Sequence, residues 1–300
     1  MKITSIVIIY NSTLENSDTL RSVLASQTKN IVLDILIWNN GPSLLNEEDV
    51  QHFLASCQEK GIRAKIFQDI RNLSLSKIYN FFIEVNEFNF VTILDQDSIL
   101  PKDFFIRLST VKDADVIVPK IIAKKNDVYT QYYPHLYDNP DIIISEGHIQ
   151  SPIESAMSGI TISKNAVDKI ITFRGYVFEE KLAFYGIDND FFRTIKIMKD
   201  DQLSLFCLNE IHHSLSALDP EEAKNDFRII ENLYFKYFIR FEYNNKNMLS
   251  TLFICFRDLI SRKLTINQTK KLISFIIRKS HPRSIEKISK NKNPSHYLKI

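Results

Sequence analysis

Apolar runs and helical apolar periods alternate along the first half of the chain. Short runs rich in Ile, Val and Leu predict buried strands, because a strand covered on both faces has a nearly continuous apolar sequence. Between these runs, apolar residues recur every three or four positions, which is typical of amphipathic helices. The predicted strands are 2–9, 31–38, 62–67 and 90–94, and the predicted helices start at Ser17 or Asp18, at Glu47 and at Ser74.

Three strand–helix units therefore precede the strand at 90–94, and this alternation predicts a parallel α/β sheet. Right-handed crossovers would bring the carboxyl ends of the four strands to one edge, where ligands bind in open α/β sheets. We therefore expect a nucleotide cleft at this edge. Its polar residues would be Tyr10, Asn11, Asn39, Asn40, the residues after Phe67, Asp95 and Asp97.

The second half of the chain has a weaker pattern. Residues 124–157 are rich in tyrosine and contain three prolines, so they are predicted to be irregular. The other predictions are short strands at 115–118, 158–163 and 204–208, helices at 187–197, 227–243, 249–264 and 269–279, and a polar, disordered tail at 280–300.

Composition fits a folded globular chain, with 44% hydrophobic and 25% charged residues among 300. The sequence contains neither of the common Gly-rich phosphate loops. Cys57, Cys207 and Cys255 are isolated, which argues against a disulfide framework or a zinc ribbon and fits a reducing compartment. We see no signal peptide and no run of about 18 uncharged apolar residues, so a cytoplasmic protein is expected.

Positive charge is concentrated near the C-terminus. From Lys224 onward there are 17 Lys/Arg and 5 Asp/Glu, whereas the remaining residues hold 21 and 31, giving +2 overall. This asymmetry sets a basic, aromatic-rich helical extension, 217–300, apart from a first predicted domain, 1–216. Basic amphipathic helices suit an anionic membrane surface, which predicts a peripheral location on the inner face of the cell membrane. A helical cap with solvated charges is the alternative, and no nucleic-acid-binding motif is present.

Two carboxylates directly follow the strand at 90–94. Asp95 and Asp97 would repel each other unless a cation or hydrogen bonds compensate their charge. An oxygen-rich, partly hydrated site suits Mg²⁺ or Mn²⁺. The Asp-x-Asp spacing recurs twice elsewhere in the chain, so its meaning depends on the preceding strand, and an ordinary acidic turn is the alternative.

Several further segments form an ordered series with this motif. They are 6–12, 35–41, 72–80, 94–98 (L-D-Q-D-S), Ser158-Gly159, 178–190 and 213–216 (H-S-L-S). The series resembles the family 2 glycosyltransferases, inverting enzymes of the GT-A fold, and especially their bacterial rhamnosyltransferase-like members. The resemblance covers roughly residues 1–216, and its order is more specific than any single motif. Four positions depart from the family pattern, namely Asn39 for Asp, Ser74 for Gly, Ile187 for Glu and Ser216 for Gly.

The resemblance implies an α/β GT-A fold, a nucleotide-sugar donor such as a UDP- or dTDP-sugar, and Mn²⁺ or Mg²⁺. It identifies Asp97 as a metal ligand, with Asp95 as a further ligand that lies nearer the ribose or the donor sugar. His213 is the expected third ligand, and His212 competes with it. The other expected donor contacts are Ile9, Tyr10, Asn11, Asn39, Asn40, Asn72, Lys77 and Gln96, although the asparagines could simply form turns and Lys77 could be solvated.

An inverting transfer is a single in-line displacement, which needs one general base for the acceptor hydroxyl. The resemblance places Asp188 in this role, at a helix start where the dipole favours a carboxylate. Helix capping is the alternative role of Asp188. Asp190 is the second candidate, either as the base or as a residue that orients the acceptor.

The sequence therefore predicts a metal-dependent inverting hexosyltransferase. Rhamnose, galactose or a similar hexose would be moved to a saccharide acceptor, lipid-linked through a diphosphate, in bacterial O-antigen or capsule synthesis. One alternative is a haloacid-dehalogenase-type phosphatase using Asp95 and Asp97, although Ile99 occupies a position that normally holds Thr or Val. Another is a catalytically inactive membrane-docking module, which Asn39 and Ile187 suggest.

Overall fold

The computed structural model describes residues 1–125, 127–198, 203–215 and 225–288. Strands and helices alternate in the N-terminal part, and their ends differ from the predicted ends by single residues. Ser17 accepts a hydrogen bond from Leu20 N and caps the first helix. The elements are β1 (Lys2–Ile9), α1 (Asp18–Leu24), β2 (Val32–Asn39), α2 (Glu47–Glu59), β3 (Arg63–Gln68), α3 (Leu75–Val85) and β4 (Phe90–Asp95).

The middle of the chain contains more regular structure than predicted. The prediction that residues 124–157 are irregular is wrong, because short, mostly polar strands pair there through the main chain and leave no apolar period in the sequence. The elements are β5 (Ser98–Ile99), α4 (Phe104–Thr110), β6 (Val116–Lys125), β7 (Val128–Tyr133), β8 (His135–Leu136), β9 (Asn139–Ile143), β10 (Gly147–Ile149), β11 (Ile153–Glu154), β12 (Thr161–Ser163), α5 (Lys164–Arg174), α6 (Ile187–Ile197) and β13 (Leu205–His213).

The C-terminal part is helical, as predicted. Its elements are α7 (Asp226–Phe238), a π-helical turn (Ile239–Tyr243), α8 (Met248–Ile260), α9 (Ile266–Arg278) and a 3-10 turn (Pro282–Ile285). This last turn corrects the prediction of disorder from 280 onward. The predicted domain boundary at 216/217, the departure at Ser216 and the tail beyond residue 288 lie outside the described residues.

The main sheet brings the predicted strand ends together. Its order is β10-β13-β6-β12-β4-β1-β2-β3, with β5 beside β13 and β7 beside β6. Because β4, β1, β2 and β3 are parallel, Asp95, Ile9, Asn39 and Gln68 all lie at one edge. This arrangement confirms the predicted convergence. A second, smaller sheet has the order β11-β8-β9.

Both faces of the sheet are covered, which explains its apolar strands. Ile6 and Ile8 of β1 join one apolar cluster with α3, whereas Val7 and Ile9 join another with α1 and α2. Such alternation follows from the two-residue period of a strand. The first cluster continues into the C-terminal helices, for example through Tyr237 of α7. The helical extension therefore packs on the same core as α3.

Candidate functional site

Asp95, Asp97 and His213 meet at the carboxyl edge of the sheet. Pairing of β13 with β5 places His213 opposite Ser98, next to the acidic turn. His213 Nε2 donates to Asp95 Oδ2 at 3.0 Å, and His213 Nδ1 lies 3.6 Å from Asp97 Oδ2. The histidine side chain is 11% exposed, whereas those of Asp95 and Asp97 are 37% and 36% exposed. Three predicted metal ligands are therefore neighbours.

His212 does not reach the carboxylates, because successive residues of a strand point to opposite faces. Its ring lies edge-on to the Tyr129 ring, with 5.3 Å between the centroids. Its Nε2 atom is 3.8 Å from a carboxylate oxygen of Glu210. Of the two histidines that the sequence offers, His213 is the one that faces the acidic turn.

The side chains at this site, two carboxylates and the imidazole of His213, are of the types that bind a divalent cation. Burial lowers the pKa of His213, but the hydrogen bond and charge of Asp95 and the charge of Asp97 outweigh it and raise the pKa to about 9. The buried Nδ1 of His213 has no hydrogen-bond partner. Within the described residues, no three His, Cys, Asp or Glu side chains are already arranged around one point. Metal binding would therefore require these side chains to shift relative to one another.

Hydroxyl groups hold the acidic turn in place. Thr19 Oγ1 of α1 contacts the carbonyl oxygens of Asp95 and Ser98 and accepts from Ser98 N at 2.9 Å. Ser158 Oγ accepts from Asp95 N at 3.0 Å and pairs with Ser98 Oγ at 2.6 Å. These bonds fix the main chain and leave the Asp95 carboxylate directed at His213. Thr19 was missed in the sequence, where a helix threonine carries no distinguishing signal.

Gln96 holds the loop that follows β1. Its Oε1 accepts from Tyr10 N at 2.8 Å, and its Nε2 donates to Tyr10 O at 3.2 Å. The Tyr10 residue remains 45% exposed. Asn11 has φ of 50° and donates from its main chain to Gly41 O at 2.7 Å. Ile9 is fully buried, whereas Tyr10 and Asn11 are both exposed, so these two of the predicted donor contacts are accessible.

Asn39 and Asn40 are both buried and use their amides inside the protein. Asn39 accepts from Gly41 N and donates to Gln68 Oε1, both at 3.0 Å. Asn40 exchanges two hydrogen bonds with the main chain of Leu73, at 2.8 and 3.0 Å. The two side chains thus stabilise the turn after β2 and the loop before α3. This is the turn-forming role that the sequence leaves open.

Asn72 and Lys77 contact the C-terminal segment. Asn72 Oδ1 accepts from Arg283 Nη1 at 2.9 Å, and Lys77 Nζ donates to the carbonyl oxygen of Glu286 at 3.0 Å. Arg283 also donates to the buried carboxylate of Glu231 at 3.0 Å. Two residues predicted to contact the donor are therefore held by a segment that the sequence predicts to be disordered. We call residues 281–287 the C-terminal strap.

Helix α3 holds the loop that leads into α6. Asn80 donates to Phe178 O at 2.8 Å and accepts from Phe178 N at 3.0 Å. The hydroxyls of Ser74 and Ser76 both donate to Leu182 O, at 3.1 and 2.7 Å. Ser74, which departs from the family glycine, therefore contributes a hydrogen bond that glycine lacks. The segments 72–80 and 178–190, matched separately in the sequence, are one structural unit.

Asp188 lies in the first turn of α6, where its Oδ1 accepts from Asn189 N at 2.9 Å. Burial raises the pKa of Asp188 to about 6, the Asn189 hydrogen bond opposes this shift, and the negative charges of Asp95 and Glu154 add to it. Asp188 is thus close enough to Asp95 for their charges to interact. A carboxyl group with a pKa near neutrality can take up a proton and release it again.

Asp190 occupies a different environment from Asp188. It is 5% exposed, and its Oδ2 accepts from Arg174 Nη1 at 2.6 Å. Its Oδ1 accepts from the Tyr243 hydroxyl at 2.9 Å. Both oxygens are committed to this buried ion pair, which links α5, α6 and the π-helical turn. This geometry argues against the predicted alternative of Asp190 as the base or as a residue that orients the acceptor.

The sheet, its flanking helices and this edge together have the α/β fold of the GT-A glycosyltransferases. The sequence matches no protein-family model and no curated protein. Among solved structures, the fold is similar to that of S. aureus TarS 1–349 in complex with UDP-GlcNAc, with a TM-score of 0.52 and 15% identity over 92% of this chain and 72% of that one. It is also similar to GalNAc-T7 with UDP, GalNAc and Mn²⁺, with a TM-score of 0.50 and 10% identity over 78% and 50%. The likeness extends to the fold and not to the rhamnosyltransferase-like subtype.

Proposed function

We propose that this chain is a metal-dependent inverting glycosyltransferase that uses a nucleoside-diphosphate sugar. The observation that carries the proposal is the meeting of Asp95, Asp97 and His213 at the carboxyl edge of the sheet. Asp188 lies within electrostatic reach of this group. Two proteins of similar fold support a nucleotide-sugar donor, since one is in complex with UDP-GlcNAc and the other with UDP, GalNAc and Mn²⁺.

Departure of a nucleoside diphosphate creates negative charge that must be neutralised. A divalent ion, Mn²⁺ or Mg²⁺, supplies this neutralisation when it is bound. In this chain Asp97, His213 and Asp95 would hold it, through two carboxylates and an imidazole nitrogen. Ser214 donates from its hydroxyl to Asp97 and orients that carboxylate.

Asp188 is the proposed general base. An inverting displacement requires one group that takes the proton of the acceptor hydroxyl as the new bond forms. With a pKa of about 6, the Asp188 carboxyl is largely ionised at neutral pH yet remains a stronger base than an ordinary aspartate. Glu154 of β11 is close enough to Asp188 for their charges to interact, so the small sheet contributes to the proposed acceptor-binding side of the site.

We assign different roles to the predicted donor residues. The exposed Tyr10 ring is the proposed contact for the nucleotide base. Gln96, Asn39 and Asn40 position the surrounding loops through their hydrogen bonds.

The proposed donors are UDP- and dTDP-sugars, and the proposed acceptor is a saccharide carried on a lipid diphosphate at the inner membrane face. Synthesis of a bacterial surface polysaccharide is the corresponding process.

A donor panel tests this function. Purified protein is incubated with UDP- and dTDP-hexoses and Mn²⁺ or Mg²⁺, with and without a short-chain lipid-diphosphate saccharide, and nucleoside diphosphate release is measured. The wild type should release diphosphate with one donor class, and Asp97→Asn and Asp188→Asn should not. Metal-independent release, or full activity in both variants, would refute the assignment.

The same preparations address the two alternatives. A phosphatase using Asp95 and Asp97 would release phosphate from a simple ester without any nucleotide. An inactive docking module would bind no nucleoside diphosphate, and its melting temperature would not change with UDP and Mn²⁺. For a binding protein, ligand at about 100 times its dissociation constant should add roughly 2.7 kcal/mol of stability.

A further inference from the structure

Helix α8 exposes an apolar face to solvent. Leu249, Phe253, Phe256 and Ile260 are spaced by four, three and four residues, so they lie on one side of the helix. Their exposed fractions are 74%, 69%, 48% and 83%. We call these four residues the α8 ridge. Large apolar side chains that are aligned and exposed in this way mark an interaction surface more often than scattered ones do.

Helix α8 buries smaller and more polar side chains than an ordinary surface helix does. Its buried side carries Thr251, Cys255 and Asp258. Cys255 is completely buried and packs beside Tyr237 of α7. The Thr251 hydroxyl donates to the carbonyl oxygen of Asn247 at 3.0 Å. Leu252 packs against the core and is partly buried, but the four ridge side chains lie on the exposed side of α8, so the ridge is not part of the core.

The ridge lies within a strongly basic segment. Residues 244–279 contain eight Lys/Arg and one acidic residue, Asp258, which is buried and paired with Arg257 at 2.8 Å. The exposed cations include Arg262 and Lys263 directly after α8 and Lys270 and Lys271 on the next helix. Helix α9 also exposes Ile266 and Ile277, at 67% and 63%. An exposed apolar face on a segment that also carries exposed cations complements the interface of an anionic bilayer.

We propose that the α8 ridge inserts into the headgroup region of an anionic lipid surface, with α8 lying parallel to the membrane plane. A second copy of the chain is the less favourable occupant, because self-association would bring two basic segments together. The described residues contain no helix that is both long and apolar enough to span a bilayer. This inference rests on the proposed function in one respect: membrane binding would bring the site to a lipid-linked acceptor.

Vesicle co-sedimentation of the full chain tests the proposal. Vesicles of phosphatidylglycerol and phosphatidylcholine are compared with pure phosphatidylcholine at low and at physiological salt. The double variant F253S/I260S removes two ridge residues. The matched control F173S/I197S removes two equally large side chains that are exposed on α5 and α6, at 50% and 54%. The charge variant K270E/K271E probes the electrostatic part.

Wild type and control should bind anionic vesicles, and the ridge variant should bind at least about tenfold more weakly at both salt concentrations. The charge variant should lose binding mainly at low salt, since salt screens exposed charges. Equal binding by the ridge variant and the wild type would overturn the proposal. A wild type that dimerises through the ridge and ignores vesicles would overturn it as well.

Diphosphate release with a water-soluble acceptor is measured in parallel. If the proposal is correct, the ridge variant retains this activity and loses vesicle binding, whereas Asp97→Asn shows the opposite. Vesicle binding without any transferase activity would refute the proposed function and support the docking surface. Transferase activity without vesicle binding would refute the docking surface alone.

Discussion

His213 Nε2 lies 3.0 Å from Asp95 Oδ2, although 118 positions separate the two residues in sequence. We expect His213→Gln to weaken the apparent Mn²⁺ affinity by at least about tenfold, because one ligand and the orientation of Asp95 are both lost. A metal titration of diphosphate release measures this effect. His212→Gln is the matched control, since that ring faces Tyr129. Equal losses in both variants would contradict a specific role for His213.

The pKa of Asp188 predicts a pH dependence of transfer. The rate should rise as pH increases through about 6, because the carboxyl must lose its proton before it can act as a base. Asp188→Asn should lower kcat by about 100- to 10,000-fold at neutral pH and should remove the rise near pH 6. Steady-state rates between pH 5 and 8 test this. A variant that keeps the rise near pH 6 would show that another group titrates.

The raised pKa of Asp188 also predicts how the free energy of unfolding changes with pH. The folded-state pKa of Asp188, about 6, lies above its usual value of 3.8, so the folded protein binds this proton more tightly. The resulting stabilisation is present at low pH and is lost as pH rises from about 4 to 6. Relative to wild type, Asp188→Asn should therefore gain roughly 1 to 3 kcal/mol between pH 4 and pH 7. Urea unfolding at the two pH values provides the comparison.

Asp190 should affect stability rather than chemistry. Asp190→Ala leaves the Arg174 guanidinium buried without its carboxylate, and we expect a loss of about 3–5 kcal/mol. Asp168→Ala is the control, because the Lys164–Asp168 pair is solvent-exposed and should cost about 0–1 kcal/mol. Chemical denaturation measures both. If Asp190→Ala were fully stable and inactive, the structural assignment would be wrong.

The C-terminal strap should influence donor binding. Arg283→Ala removes the hydrogen bonds to Asn72 and to the buried Glu231 carboxylate, so the loop before α3 should open more often. A hydrogen bond to a charged group contributes roughly 1.5–3 kcal/mol, which corresponds to at least a tenfold rise in donor KM. Hydrogen exchange of residues 72–77 should increase in parallel. Lys287→Ala, on the same strap with an exposed side chain, should change neither measurement.

The strands of the parallel sheet could be predicted because burial on both faces leaves a continuous apolar run. The same logic could have distinguished His213 from His212 if β13 had been predicted to reach its observed end. The sequence predicts that this strand ends at 208, which leaves both histidines in a loop. Side chains of a loop do not alternate between two faces, so the two histidines could not be told apart. The strands between 124 and 157 gave no such signal, because exposed main-chain pairing does not require apolar side chains.

Other parts of the site depend on contacts that no local pattern records. Asp188 and Asp190 lie in the same helical turn, and only the positions of Arg174 and Tyr243 separate their roles. The amides of Asn39 and Asn40 are consumed by neighbouring loops, which a motif match cannot reveal. A threonine or serine that supports the acidic turn has the same appearance in sequence as one that faces water.

The contact between Asn72 and Arg283 has a consequence for synthesis of the chain. The two residues are 211 positions apart, so at a translation rate of about 5–20 residues per second the arginine is added roughly 10–40 s after the asparagine. During that interval the sheet edge can already form while the loop before α3 lacks its contact with the strap. The loop before α3 would thus reach its final, supported conformation only after the strap has been synthesised.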